Sequence, residues 1–220
     1  MKIYGMEVST CTQKVLMVLA EKEYDAELVQ VNVLKGEDKL PEHLKRQPFG
    51  EVPVLEDDGF VLYESRAIIR YLDQRLPGRS LTPSDIRTRG LMEQWMSVEQ
   101  SYFSEPVYDL VRSSSVYDMV WNSEAAMHFP PPPDKAKLAK ATEEVGRVFD
   151  VLDRVLAQQD YLVGPMFSLA DVTFMPYIPY LLAAGGGEIL NARASTAAWW
   201  KRVSARPSWH KLGKVVGQNS

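Results

Sequence analysis

The spacing of apolar positions changes along the chain. KIYG at positions 2–5 predicts a short strand, and Ser9 then opens a stretch in which Val15, Val18 and Leu19 recur at helical spacing up to Lys22. A second β-rich run covers residues 26–33, so residues 2–33 predict a βαβ unit with two parallel strands joined by a right-handed crossover. The polar, Pro-punctuated stretch GEDKLPEHLKRQPFG follows. Beyond it, residues 52–56 and 60–63 are two short runs separated by Asp57, Asp58 and Gly59, which predicts a hairpin. Glu64 and Ser65 introduce RAIIRYLDQRL, where Ala67, Ile68, Tyr71 and Leu72 form one apolar face until Pro77 and Gly78 end the helix.

RSLTPSDI has the composition of a linker, and after it the strand signals fade. Leu91, Trp95, Val98 and Tyr102 form one helical stripe; Leu138, Val145, Phe149, Leu152 and Leu156 form a longer one. Between them lies an irregular stretch ending in four prolines at 130–133, which cannot donate backbone hydrogen bonds and favour an extended conformation, read as a spacer in preference to a substrate-site flap. Ser168 and Asp171 in SLADVTF have capping-box spacing, with Asp in place of the usual Glu. The pattern therefore predicts an α/β domain at 1–78, a linker at 79–87 and an all-helical domain at 88–220.

Composition narrows the function classes. A net charge of −4 and an acidic pI near 5.5, with Lys and Arg scattered, leave no basic surface for nucleic acid. No apolar run approaches the roughly 20 residues that span a bilayer, and MKIYGMEVST has no signal-peptide pattern, so a cytoplasmic location with no membrane partner is expected. The single cysteine, Cys11, excludes an intramolecular disulfide, and three scattered histidines give no metal-ligand spacing.

In their order along the chain, STCTQKVLMVLAEKE, EHLKRQPFGEVPVL, LYESRAIIRYL, SLADV and the late RPSW resemble the soluble glutathione transferases, and the serine form of the first piece is most like the phi class. The resemblance implies a thioredoxin-like βαβ–ββα domain followed by a helical bundle that supplies an apolar substrate wall. It also implies glutathione as cosubstrate with no tightly bound cofactor, hydrophobic electrophiles as partners, a detoxifying role and a homodimer. The expected activity is conjugation of the glutathione thiolate, with peroxide reduction as a companion activity.

The chemistry needs a thiolate, because a thiol of pKa about 8.5 is only a few per cent ionised near pH 7. A serine hydroxyl at a helix N-terminus donates to sulfur while orphan N–H groups and the helix dipole add positive potential. Ser9 matches the family's catalytic serine; on local sequence alone it reads as a plain N-cap. Thr10 is a neighbouring donor. Cys11 is the alternative nucleophile, through mixed disulfides with glutathione, against a plain reading as a small residue in the first helical turn. A non-catalytic ligand-binding protein of the same fold is the other alternative.

The resemblance assigns the rest of the glutathione site residue by residue. Ser65 meets the α-carboxylate of the γ-glutamyl end and Glu64 its ammonium, with Arg66 a weaker member that also fits a structural role. Val52 and Pro53 match the family's cis-proline dipeptide, which turns the Val52 backbone toward the cysteinyl amide. Lys39 falls where a basic residue lies near the glycine carboxylate. Asp38 departs from the family's usual His or Gln and either repels that carboxylate or pairs with Lys39; Glu51 replaces a common Gln. Among the aromatic and Met residues of the helical half, Tyr102, Phe103, Tyr108, Met119 and Trp121, the expected substrate wall takes Tyr102 and Met119, together with Val8 from the first domain.

Overall fold

The structure is a computed structural model and describes residues 1–115, 117–118, 127 and 129–212. The first domain contains β1 (Lys2–Gly5), α1 (Thr10–Glu21), β2 (Glu27–Gln30), α2 (Pro41–Leu44), β3 (Val54–Asp57), β4 (Phe60–Tyr63) and α3 (Ser65–Arg75). The strands form one mixed sheet in the order β2-β1-β3-β4, with β1 and β2 parallel and the other pairs antiparallel. The expected βαβ unit and hairpin are both present. Residues 26–33 shorten to the four of β2, because Asn32 caps a 3-10 turn at Val33–Lys35 that takes the chain off the sheet. Asp57 belongs to β3, so Asp58 and Gly59, both at positive φ, make the two-residue turn whose twist suits a hairpin.

The second half is helical: α4 (Ile86–Val98), a π-helical turn at Glu99–Phe103, α5 (Ser104–Arg112), α6 (Lys135–Leu156), α7 (Leu169–Phe174), α8 (Tyr177–Ala183), α9 (Gly187–Asn191), α10 (Ala194–Ser204) and α11 (Pro207–His210). Asp85 caps α4 by accepting from Thr88 N at 2.8 Å, so the helix begins at Ile86, inside the expected linker. The buried stripe of α4 is also shifted. Leu91 and Tyr102 are exposed, while Met92, Trp95, Met96 and Phe103 are buried with Glu99 among them. On α3 the buried face is Ile68, Ile69 and Leu72, and Tyr71 lies at its edge with its hydroxyl on Asp57. The α6 stripe falls where the spacing predicts it.

The Ser168–Asp171 capping box forms. Its carboxylate also accepts from Leu162 N at 3.0 Å and Trp199 Nε1 at 2.9 Å, which ties α7 to α10 through a fully buried group.

Buried ion pairs fix the first domain against the helices. Lys14 of α1 meets Glu99 at 3.1 Å, and Arg66 of α3 reaches the same carboxylate at 2.6 Å; Lys14 and Glu99 side chains are 0% exposed. Arg206, from the RPSW segment, holds Glu21 with two bonds of 2.7 Å. At the joint between the domains Lys22 pairs with Asp73 at 2.8 Å, and Asp73 accepts from Leu81 N. Burial raises the Asp73 carboxyl, but the hydrogen bonds from Lys22 and the Leu81 N–H outweigh it and hold it below its ordinary value of 3.8. A depressed carboxylate adds stability that is present above the unfolded-state pKa and is lost as pH falls through the folded-state value. Asp73→Asn is therefore expected to cost ~2–3 kcal/mol at neutral pH. Denaturant titrations should show that difference shrinking as pH falls below about 4.

Candidate functional site

The turn between β1 and α1 is tight because Gly5 permits it. A Cβ there would lie 2.7 Å from Thr12 Oγ1, so the strand end and the first helical turn touch backbone to side chain. Ser9 N donates to Met6 O at 2.9 Å and closes the loop. The Ser9 carbonyl accepts from Gln13 N, and its hydroxyl oxygen accepts from Thr12 N over a long 3.3 Å. Ser9 is thus a true N-cap, yet only as an acceptor. Among the described residues its hydroxyl proton has no partner, and the N–H groups of Thr10 and Cys11 are the helix's orphan donors. A hydroxyl accepts and donates at once, so capping Thr12 N leaves the Ser9 proton available for a second partner.

A second helix start lies at α3. Glu64 stands at φ 71°, ψ 109°, away from the left-handed well open to non-glycine residues, a conformation that costs ~1–3 kcal/mol and collects at functional sites. Its carbonyl takes the N–H groups of Ala67 and Ile68, which leaves those of Ser65 and Arg66 as orphans beside the buried Ser65 side chain. The Val52–Pro53 bond is cis, directly before β3. Partial burial raises the Glu51 carboxyl above its ordinary value; Asp38 and Glu64 add to the effect and Lys39 opposes it, so the 38–51 segment and the start of α3 share one rim.

Lys39 is already engaged on that rim. Its ammonium donates to the Gly50 carbonyl, pairs with Asp38 at 3.1 Å and approaches Glu51 at 3.9 Å. Gly50 sits at φ +65°, and a Cβ there would meet Lys39 Cδ at 2.7 Å. Of the two expectations for Asp38, the ion pair is the one the structure contains. The same carboxylate keeps a buried Oδ1 with no hydrogen-bond partner among the described residues.

Thr10, Arg66 and Tyr102 have partners or exposure that the sequence did not show. The Thr10 hydroxyl is buried and paired with the Tyr108 phenol, so it is not an open donor. Arg66 is committed to Glu99 through Nε at 2.8 Å, a carboxylate that it shares with Lys14. Tyr102 is 59% exposed beside the fully buried Phe103, and so points away from the helical core. Met119, with Trp121, lies outside the described residues. Cys11, partly exposed in the first turn of α1, has Tyr108, Tyr177 and Arg66 as electrostatic neighbours.

Two tyrosines complete the surroundings of Ser9. Tyr108 of α5 reaches Thr10, and Tyr180 of α8 donates to the Val8 carbonyl, while Val8 itself is partly exposed. Sequence reasoning noticed Tyr108 only as one of several aromatic residues and missed Tyr180. The Tyr177–Tyr180 pair at i, i+3 in YIPY was the available signal, and it is indistinguishable from ordinary core spacing.

A βαβ–ββα sheet domain with a serine-capped first helix, joined to a helical bundle, defines the class. Residues 3–80 match the family model for the glutathione S-transferase N-terminal domain, and residues 116–207 match that for the C-terminal domain. Glutathione S-transferase F12 of Arabidopsis thaliana is 33% identical over 98% of both chains. The crystal structure of glutathione transferase F7 from Populus trichocarpa superposes with a TM-score of 0.86 at 32% identity, covering 100% of this chain and 99% of that one. Glutathione S-transferase I from mais, solved in complex with an atrazine glutathione conjugate, gives a TM-score of 0.83 at 28% identity over 96% and 95% of the two chains. The chain belongs to the glutathione S-transferase family, and its likeness is to the phi class.

Proposed function

We propose that this chain conjugates the thiolate of glutathione to hydrophobic electrophiles, with Ser9 as the catalytic residue. The observation that carries the reading is the Ser9 hydroxyl, which accepts from Thr12 N and has its own proton free at the start of α1. A sulfur placed there meets one hydroxyl donor, the orphan N–H groups of Thr10 and Cys11 and the positive end of the helix dipole. Thr10 then contributes through its backbone. The thiolate attacks the electrophilic atom; the leaving group, or a proton from solvent, completes the exchange. With a peroxide oxygen in place of carbon, the thiolate breaks the O–O bond, the alcohol leaves, and the sulfenic acid formed on sulfur is reduced by a second glutathione to the disulfide and water, the companion peroxidase reaction.

Glutathione is a cosubstrate in this reading. Ser65 and the orphan N–H groups of α3 receive the α-carboxylate, Glu64 the ammonium, the Val52 backbone before Pro53 the cysteinyl amide, and Lys39 the glycine carboxylate. Arg66 acts by holding Glu99. The electrophile lies against Val8 and the helical half, where Tyr108 and Tyr180 supply aromatic wall. A homodimer in the cytoplasm with a detoxifying role goes with it. Phe49, 69% exposed, and Ile86, 74% exposed, are apolar surface that a second copy would cover. Among the described residues no helix is long and apolar enough to cross a membrane.

The test is a kinetic panel of conjugation and mixed-disulfide reduction on the wild type, Ser9→Ala and Cys11→Ser. Loss of conjugation in Ser9→Ala with retention in Cys11→Ser is expected. Disulfide reduction lost only in Cys11→Ser would make the chain a cysteine-dependent thiol transferase, and glutathione binding without turnover in either assay would make it a binding protein.

Asp38 gives a separate prediction. With its carboxylate on Lys39, part of the ammonium's charge is already neutralised before glutathione arrives. Asp38→Asn is expected to lower KM for glutathione by about two- to fivefold with kcat unchanged, the range of a partly exposed ion pair. Steady-state kinetics with glutathione as the varied substrate reads it directly.

A further inference from the structure

The loop before Ser9 is held from its own domain by Ser9 N on Met6 O at 2.9 Å and by Gln13 Nε2 on Glu7 O at 3.0 Å. From the other side, two phenols of the helical half grip the residues flanking the serine. Tyr108 on α5 meets Thr10 Oγ1, and Tyr180 on α8 donates to the Val8 carbonyl. Two separate helices thus contact positions 8 and 10, and the residue between them carries the free hydroxyl proton.

Tyr108 is itself anchored. Its ring meets Tyr177 edge-on with centroids 5.6 Å apart, and the Tyr177 hydroxyl accepts from Lys14 Nζ at 3.1 Å, the ammonium that Glu99 neutralises. The ionisable groups facing Tyr108 and Tyr177 are Cys11 and Lys14 from α1, Arg66 from α3 and Glu99 from the π-helical turn. Burial first, and the neighbouring Cys11 second, raise the Tyr108 phenol; burial alone pushes Tyr180 up to about 12. Both phenols therefore keep their protons wherever a glutathione thiolate forms.

We propose that Tyr108 and Tyr180 are positioning residues for conjugation: together they clamp residues 8–10 from the helical half and hold the Ser9 hydroxyl and the start of α1 in line with the glutathione sulfur. The inference rests on the reading of Ser9 as the thiolate's donor. A hydrogen bond to an anion weakens steeply as its angle opens, and a displacement of about 1 Å in a positioned group costs up to a hundredfold in rate. Lys39, Val52, Glu64 and Ser65 lie on other elements, so loosening the clamp alters the state of the sulfur and leaves the peptide's grip in place. The clamp also makes thiolate formation in the first domain depend on the packing of the second.

The experiment compares Tyr108→Phe, Tyr180→Phe and the double variant with Ser9→Ala and the wild type, following kcat, KM for glutathione, the pH profile of kcat and the thermal midpoint. Each single variant is expected to lower kcat at neutral pH by roughly threefold and the double by roughly tenfold, with the alkaline rise of the profile moved to higher pH and KM within about twofold. Tyr180→Phe keeps the test open if the Tyr108 variants unfold, since Tyr180 stands on a separate helix and its hydroxyl meets only the Val8 backbone among the described residues. Unchanged pH profiles in Tyr180→Phe and in any folded Tyr108 variant, with the profile of Ser9→Ala moved to higher pH, would overturn the clamp while leaving Ser9 in its role. A fully active Ser9→Ala would overturn both.

Discussion

Ser9→Ala is expected to lower kcat for conjugation at neutral pH by roughly ten- to a hundredfold, with KM for glutathione nearly unchanged. The magnitude follows from one charge-assisted hydrogen bond, about 1.5–3 kcal/mol, which alanine cannot make. The variant also loses the cap on Thr12 N, and that loss, typically ~1 kcal/mol, appears in stability and not in the pH dependence of the rate. Separating the two needs the pH profile. If the hydroxyl only caps the helix, the variant keeps the wild-type profile at a lower melting temperature. If it holds the thiolate, activity returns as the pH approaches the free thiol's range. Ser9→Thr, which keeps a hydroxyl and a capping oxygen, should recover part of both.

Glu99→Ala is expected to destabilise the protein by about 3–5 kcal/mol, the largest stability effect of any change considered, measured by denaturant unfolding. The carboxylate is fully buried and is shared by Lys14 and Arg66, so removing it leaves an ammonium with no exposure and a guanidinium with little. The second variant, Lys14→Met with Glu99→Leu, is expected to cost less than Glu99→Ala alone, because it removes a buried charge together with its partner. A Glu99→Ala protein as stable as the wild type would show that water replaces the carboxylate. The network is of interest for function as well, since Lys14 also supports Tyr177, and Arg66 sits one residue beyond Ser65.

The split into a sheet domain and a helical domain was legible because each half carries its own period: short runs and the Asp-Gly turn before residue 78, long 3.6-residue stripes after it. The Asp171 box was legible for a similar local reason, an Asp three residues after a Ser. What the pattern misplaced is more instructive. Leu91 and Tyr102 fit a stripe as well as Met92 and Phe103 do, and the choice between the two registers is made by what packs against α4. Glu99 occupies the inward register, and a charged residue among Met92, Trp95, Met96 and Phe103 would have argued for a buried ion pair had the register been known. Its partners are 85 and 33 residues away, distances over which a single sequence carries no pairing signal.

The site shows the same division. Ser9, Glu64, Ser65, Val52 and Pro53 stand in short local motifs at the ends of elements, so the family resemblance can assign them one by one, although on local sequence alone the serines and Glu64 read as helix starts and nothing indicates a cis bond. Thr10, Tyr108 and Tyr180 depend on how the two domains meet. The Thr10 hydroxyl looked available because the next residue along the chain leaves it so; the phenol that occupies it comes from 98 residues later. Lys39 falls between these cases, since its neighbour Asp38 was visible in the sequence but the choice between repulsion and pairing was settled by a 3.1 Å contact.

If Ser9 lowers the pKa of bound glutathione, an ultraviolet titration of thiolate absorbance in the binary complexes of wild type and Ser9→Ala shows it most directly. The wild-type complex should titrate roughly one to two units below the ordinary thiol value of about 8.5, and the variant complex close to that value. Equal midpoints in the two complexes would contradict the account.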